Sequence, residues 1–315
     1  MTTHNQPAQA TFTGAEGNIL IADVFGRRGA PVLLLHGGGQ TRHAWRNTAI
    51  AIARAGRVAY AVDQRGHGDS EWVESGAYGF PAFAADVRSL AGALTARSGE
   101  APVMIGASLG GIAALLAEGQ AAEAGTAPLF SALVLVDITP RVDRSGIAKI
   151  QAFMSAHARE GFATVADAAD AVAAYLPHRP RPRSHEGLKK NLRLHADGRW
   201  RWHWDPRFIE GQRSVGGSRP EAEEKMVRAA RRITQPALLV RGASSEIVQE
   251  AHAREFLELV PHAEYLDVGG AQHMVAGDRN DQFAAAILDF IARLDRRGAS
   301  RADAASLRPG RLNGR

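Results

Sequence analysis

Apolar and polar positions along the chain follow two alternating rhythms. Short apolar runs, several of them continuous, fall at Asn18–Val24, Pro31–Leu35, Val58–Val62, Pro102–Ile105, Ala132–Val136, Ala237–Val240 and Glu264–Val268. Continuous apolarity of this length suits strands of a parallel sheet covered on both faces. Between the runs lie longer stretches with helical spacing, at Thr41–Ala55, Pro81–Ala96, Ser108–Glu123, Glu250–Val260 and Asp281–Leu294. Strand and helix in alternation predict a doubly wound α/β architecture, a mostly parallel central sheet flanked by helices.

The rhythm breaks between Asp137 and about Ile233. Helical patterns continue there (Ile147–Ala158, Thr164–Tyr175, Arg219–Arg231), joined by the basic segment His178–Arg183, but no run is as apolar as those outside. This predicts a mainly helical cap inserted after the strand that ends near Asp137. The expected organisation is a catalytic core of residues 1–137 and 234–295, a cap of 138–233, and a basic disordered tail of 296–315.

Composition narrows the function. The 315 residues contain no cysteine, which excludes disulfides and thiolate metal sites. The N-terminus lacks the basic start and apolar core of a signal peptide, and no apolar run nears the ~18 residues that span a bilayer. A cytoplasmic protein without membrane attachment is expected. The formal charge of +5 resides wholly in the tail, where six Arg stand against one Asp. The rest is neutral, which argues against a nucleic-acid surface.

Residues 102–118, PVMIGASLGGIAALLAE, carry the chemistry. An apolar strand runs into a turn with Gly106 and Gly110 two residues either side of Ser108, and a helix follows. Such a turn can be very sharp, with backbone in a sparsely populated region and room only for hydrogen beside it. The hydroxyl then projects at the carboxyl edge of the sheet, and the Leu109 N–H at the helix start points where an oxyanion would form. This geometry presents a nucleophile.

A serine nucleophile needs a base. His273, in VGGAQHMVAGDRNDQF, follows the last strand and precedes the last helix, and so belongs at the same sheet edge. The base needs a carboxylate to fix its tautomer. Glu246 in LLVRGASSEIV and Asp137 in LVLVDITP both follow strands, and both keep the chain order Ser, acid, His. In LLLHGGGQ the bare backbone of Gly37, Gly38 and Gly39 lets a substrate oxygen approach closely. It is no nucleotide loop: Arg42 stands where G-x-G-x-x-G needs its last glycine. Asp63, Arg65, His67 and Asp69 of DQRGHGDS read as a structural turn, because no metal-ligand spacing is present. No metal or cofactor is expected.

With LLLHGGG, AVDQRGHGDS, VMIGASLGG, LLVRGASSEIV and GGAQHMVAGDRNDQF in this order, the chain resembles the α/β-hydrolase superfamily, in its capped esterase- and haloperoxidase-like branch. The resemblance implies Ser108 as nucleophile, His273 as base, and the N–H groups of Leu109 and Gly38 as the oxyanion hole. It places the acid at Glu246, where the family pattern has Asp. Glu is longer by one methylene, which leaves Asp137 as the alternative.

Trp200, Trp202 and Trp204 of DGRWRWHWDPRF share one face if the segment is extended. They are candidates for the substrate pocket together with Gly37 and Gly39, or for anchors of the cap. The expected activity is cofactor-independent hydrolysis of a small acyl substrate (ester, thioester or lactone) through an acyl-enzyme on Ser108. C–C bond hydrolysis, perhydrolysis and a non-catalytic ligand-binding role are the alternatives.

Overall fold

The computed structural model describes residues 6–177, 184–217, 219–273 and 280–306. Strands β1 (Ala8–Thr13), β2 (Ile19–Phe25), β3 (Pro31–Leu35), β4 (Val58–Val62), β5 (Val103–Ala107) and β6 (Ala132–Val136) precede a two-stranded ribbon of β7 (Leu192–Leu194) and β8 (Trp200–Trp202); β9 (Ala237–Gly242) and β10 (Glu264–Val268) follow. The eight strands outside the ribbon form one sheet in the order β1-β2-β4-β3-β5-β6-β9-β10. Pairing is parallel from β4 onward across the sheet and antiparallel at β1–β2 and β2–β4. All seven expected strands are present. β1 escaped the sequence reading because AQATFT buries only Phe12, at the sheet edge.

Helices α1 (Arg46–Arg54), α2 (Phe80–Ser98), α3 (Leu109–Glu123), α4 (Arg144–Ala156), α5 (Val165–Tyr175), α6 (Glu186–Lys189), α7 (Arg219–Ala230), α8 (Glu250–Leu259) and α9 (Asn280–Ser306) complete the chain. The pleat sends alternate strand residues to opposite faces. Val32, Leu34, Val103, Ile105 and Val134 pack with Ile52 of α1 and with Phe283 and Phe290 of α9. Leu33, Leu35, Met104 and Leu133 pack with Val87 and Leu90 of α2, Leu116 of α3 and Phe256 of α8. Both faces of the central strands β3 to β6 are thus buried, which is why those strands read as unbroken apolar runs.

Chain order reverses at β3, which lies between β4 and β5. Loops leaving the carboxyl ends of β3 and β5 diverge there and open a crevice, the usual ligand position in an open α/β sheet. The Gly37–Gly39 loop follows β3 and Ser108 follows β5, so topology alone brings them together.

Between β6 and β9 the chain leaves the sheet and builds α4 to α7 and the ribbon. Asp143 caps α4 by accepting from the Ser145 and Gly146 N–H groups, and Thr164 and Asp167 close a capping box on α5. The ribbon is a strand element within the cap expected to be mainly helical; its strands are three residues long, too short to show a period. α7 falls inside the expected cap but packs on α3 of the core. A Cβ at Gly119 would stand 2.5 Å from that of Ala229, so the two helices approach closely. The basic segment His178–Arg183 lies outside the described residues. α9 extends to Ser306, so the start of the tail expected to be disordered is helical; residues 307–315 lie outside the described residues. No helix among the described residues is long and apolar enough to cross a membrane.

Candidate active site

Ser108 caps α3 with φ 45° and ψ −110°, outside the regions open to ordinary L-residues, a conformation that costs about 1–3 kcal/mol. Neighbouring glycines make it possible. A Cβ on Gly106 would lie 2.6 Å from the Gly110 carbonyl carbon, one on Gly110 2.5 Å from the Leu35 carbonyl oxygen, and one on Gly111 2.4 Å from Ile138. The turn therefore sits tight against β3 on one side and the start of the insertion on the other. The Ser108 N–H still donates to the Val136 carbonyl at 3.1 Å, and its carbonyl accepts from the Ile112 N–H at 2.9 Å. The strand-to-helix switch is thus completed within one residue. Leu109 opens the helix, where an N–H has no carbonyl one turn back to bond.

His273 leaves β10 and reaches the same crevice. Its Nδ1 lies 2.7 Å from Asp137 Oδ2. The sequence favoured Glu246 for this position, and the structure puts Asp137 there instead. Asp137 immediately follows β6, which lies between β5 and β9, directly on the path from Ser108 to His273. Its side chain is fully buried and satisfied: Oδ1 accepts from the Gly242 N–H at 2.9 Å, and Oδ2 also accepts from the Ser245 hydroxyl at 2.5 Å. Its φ is 48°, a left-handed conformation that Asp tolerates better than most residues. Glu246 is half-buried, and its Oε2 accepts from the His273 backbone N–H at 3.4 Å. It touches the loop of His273 rather than the imidazole. Ser245 and Gly242 went unnoticed in the sequence; only the Ser-Ser-Glu run beside the expected acid hinted at them.

Gly37–Gly39 form the opposite wall. The Gly37 N–H donates to Gln40 Oε1 at 3.1 Å, and the Gly37 carbonyl accepts from the Gln40 N–H and from His36 Nδ1. The Gly39 N–H donates to His67 Nε2 at 3.1 Å, and the Gly39 carbonyl lies 3.2 Å from His203 Nε2. That leaves the Gly38 N–H without a hydrogen bond among the described residues. The insertion seals the loop from above: a Cβ at Gly38 would meet the Phe208 ring at 3.0 Å, and one at Gly39 would meet Met154 at 2.8 Å.

His36, His67 and His203 are all buried and neutral. Burial holds His36 down to about 4 and His67 to about 3, the latter with help from its neighbour His36. Burial, and then the nearby His67, hold His203 well below the usual imidazole value. Hydrogen bonding demands the same state, because each ring accepts one backbone N–H and faces one carbonyl. The DQRGHGDS turn is structural, as expected. Asp63 accepts from the Arg42 N–H and the Asp69 N–H, Arg42 pairs with Asp23, Asp63 and Asp69, and Arg65 pairs with Asp86. No group of three metal-ligating side chains occurs among the described residues.

Ser108, Leu109, His273 and Gly37–Gly39 open onto one cavity of about 400 Å³. The insertion supplies most of its other walls, including Ile147, Ile150, Phe153, Met154 and Phe208. Trp202 and Trp204 line it; Trp200 does not. Strand residues two apart are separated by nearly 7 Å, and the Trp200 backbone is engaged further along the ribbon, exchanging hydrogen bonds with Phe162.

Residues 32–286 match the model of the alpha/beta hydrolase family. Esterase Rv0045c of Mycobacterium tuberculosis is 29% identical over 240 residues, covering 73% of this chain and 72% of the relative. The 2-(acetamidomethylene)succinate hydrolase of Mesorhizobium japonicum is 28% identical over 244 residues, covering 73% and 77%. Among solved structures, E-2-(acetamidomethylene)succinate hydrolase superposes with a TM-score of 0.77 at 24% identity, covering 91% of this chain and all of that one. The M. tuberculosis esterase Rv0045c superposes with a TM-score of 0.69 at 26% identity, covering 91% and 92%. With a family match over most of its length and the sheet order and loops described above, the chain belongs to the alpha/beta hydrolase family.

Proposed function

We propose that the protein is a serine hydrolase that cleaves a carboxylic ester, or a related thioester or lactone, through an acyl-enzyme on Ser108. The observation that carries this reading is the His273–Asp137 hydrogen bond of 2.7 Å at the rim of the cavity into which the strained Ser108 turn opens. Asp137 fixes the Nδ1–H tautomer of His273, which frees Nε2 to act as base. His273 takes the Ser108 proton as Oγ attacks the acyl carbon. The N–H groups of Leu109 and Gly38 hold the developing oxyanion. His273 then returns its proton to the leaving oxygen or sulfur. In the second half, water loses a proton to His273, attacks the acyl carbon and releases the acid and Ser108. The insertion acts as the cap: its apolar side chains over the cavity favour an apolar acyl group and keep the site dry.

Kinship with an esterase and with other hydrolases supports a hydrolytic reaction. The test is labelling with a fluorophosphonate, read by intact mass. The expected result is one adduct on the wild type and none on Ser108→Ala. Equal labelling of both, or no Ser108-dependent turnover of any ester, thioester or lactone, overturns the reading. Product analysis separates ester cleavage from C–C cleavage, which yields two carbon fragments, and from peroxide-dependent peracid formation.

A further inference from the structure

The loop that carries Gly38 is held from two directions, and one hold comes from the insertion. His203 follows β8, is 1% exposed, and bridges two loops of the core. Its Nδ1 accepts from the Gly68 N–H at 2.6 Å, and its Nε2 lies 3.2 Å from the Gly39 carbonyl oxygen. The first contact leaves Nδ1 unprotonated, so Nε2 carries the hydrogen and donates to Gly39. His67 accepts the Gly39 N–H from below, while its own Nδ1–H donates to the Arg65 carbonyl at 3.0 Å. The two imidazoles therefore grip successive peptide planes, one on each side of the Gly39 Cα. The ring centroids of His67 and His203 lie 5.8 Å apart, and Phe208 packs on His67 edge to face at 4.7 Å.

We infer that His203 is a positioning residue of the insertion that holds the Gly39 carbonyl so that the Gly38 N–H stays turned toward the reacting oxygen. Gly39 has φ 75° and no side chain to restrain it. The peptide that His203 holds by the Gly39 carbonyl carries at its other end the Gln40 N–H, which donates at 3.1 Å to the Gly37 carbonyl, in the same peptide plane as the Gly38 N–H. The neighbouring contacts make the segment a rigid support. The Asp205 N–H donates to the Gly66 carbonyl at 2.9 Å, and Tyr78 donates its hydroxyl to Asp205 at 2.8 Å. The Arg207 guanidinium spans Asp205 and the carbonyls of Val73 and Glu74. Residues 203–207 are thus anchored to the core at the same turn that supplies Gly68. This inference rests on the reading of Gly38 as an oxyanion donor.

Two isosteric substitutions separate positioning from anchoring. In His203→Asn, Oδ1 takes the place of Nδ1 and keeps the Gly68 contact, while the donor to Gly39 is lost. In His203→Gln, Nε2 takes the place of the ring Nε2 and keeps the donor to Gly39, while the Gly68 contact is lost. His203→Asn is expected to lower kcat about 10–100-fold with KM nearly unchanged, the scale for a mispositioned reacting group. A trifluoromethyl ketone, which forms an oxyanion on Ser108, is expected to lose affinity in proportion. His203→Gln recovers most of that loss. Melting temperatures and the binding of the product acid monitor the fold and the ground state. Wild-type kcat in His203→Asn, or equal losses in both variants in step with melting temperature, overturns the inference while Ser108-dependent turnover of the wild type upholds the proposed function. Turnover that survives Ser108→Ala removes the proposed function and the role of His203 with it.

Discussion

The two walls beside Ser108 are built on opposite electrostatic plans. The wall of His273 is organised around a buried carboxylate, Asp137, with three donors converging on it. The wall of Gly37–Gly39 is organised around three buried imidazoles that stay neutral. The difference follows from what each must stabilise. In the proposed reaction an imidazolium forms on His273, and a fixed anion against its Nδ1 lowers the cost of that charge. In the same proposed reaction a negative charge forms at the acyl oxygen, where dipoles held in advance do the stabilising. Neutral imidazoles orient those peptide dipoles without adding a charge that water would have to solvate.

The largest effect should come from removing the group both walls serve. Ser108→Ala is expected to lower kcat by about 10⁴–10⁶-fold, the scale of losing a triad member that acts as a unit with the others. Steady-state hydrolysis of an activated ester measures this, provided contaminating hydrolases are excluded by the fluorophosphonate label. A loss under about tenfold would mean that neither wall is arranged for chemistry at Ser108.

Next is the charged wall alone. Asp137→Asn keeps the shape but offers an amide to His273, which favours the wrong tautomer, and kcat is expected to drop by about 10⁴-fold. Glu246→Gln keeps an acceptor near the His273 backbone N–H and should leave kcat within about threefold, or ~0.6 kcal/mol. The pair compares two carboxylates near one histidine. If Glu246→Gln cost the larger factor, the imidazole would take its orientation from Glu246 during turnover.

This pair also marks where the sequence stops being informative. The Ser108 turn was legible because its constraints are local: strand, glycines and helix occupy one stretch, and each glycine is required by a contact within a few ångströms. The glycine loop after β3 was legible for the same reason. The partner of His273 was not, because it depends on sheet order. Motif order alone placed the acid in the loop after β9, whereas β6 lies nearer Ser108 and Asp137, the residue after it, meets His273 first. Ser245 then turns its hydroxyl onto that same carboxylate. His203 was invisible for a related reason. In Trp-His-Trp it reads as the polar partner of two aromatic anchors, and its function comes from Gly39 and Gly68, more than a hundred residues away in the chain.

The smallest effect isolates the uncharged wall, and it is read in stability rather than rate. His36, His67 and His203 have folded-state values depressed below the usual 6.5, to about 4 and about 3 for the first two. Above pH 6.5 neither state protonates them, and their neutral contacts count in full. As pH falls from 6.5 toward 4, the unfolded chain binds protons that the folded chain refuses, so stability declines with acidity. Each such group contributes a slope of up to ~1.4 kcal/mol per pH unit. His203→Gln removes one titrating ring while keeping the donor to Gly39. Urea unfolding between about pH 7 and pH 5 should therefore show a shallower pH dependence in the variant, by nearly one proton at the acid end of that range. The reduction should appear whether or not the variant is less stable overall, because it reports proton count and not contact strength. An unchanged slope would mean that His203 already carries its proton in the folded state. Its Nδ1 could then no longer accept from Gly68, and the contrast between a charged and an uncharged wall would fail at the residue that joins the insertion to the Gly37–Gly39 loop.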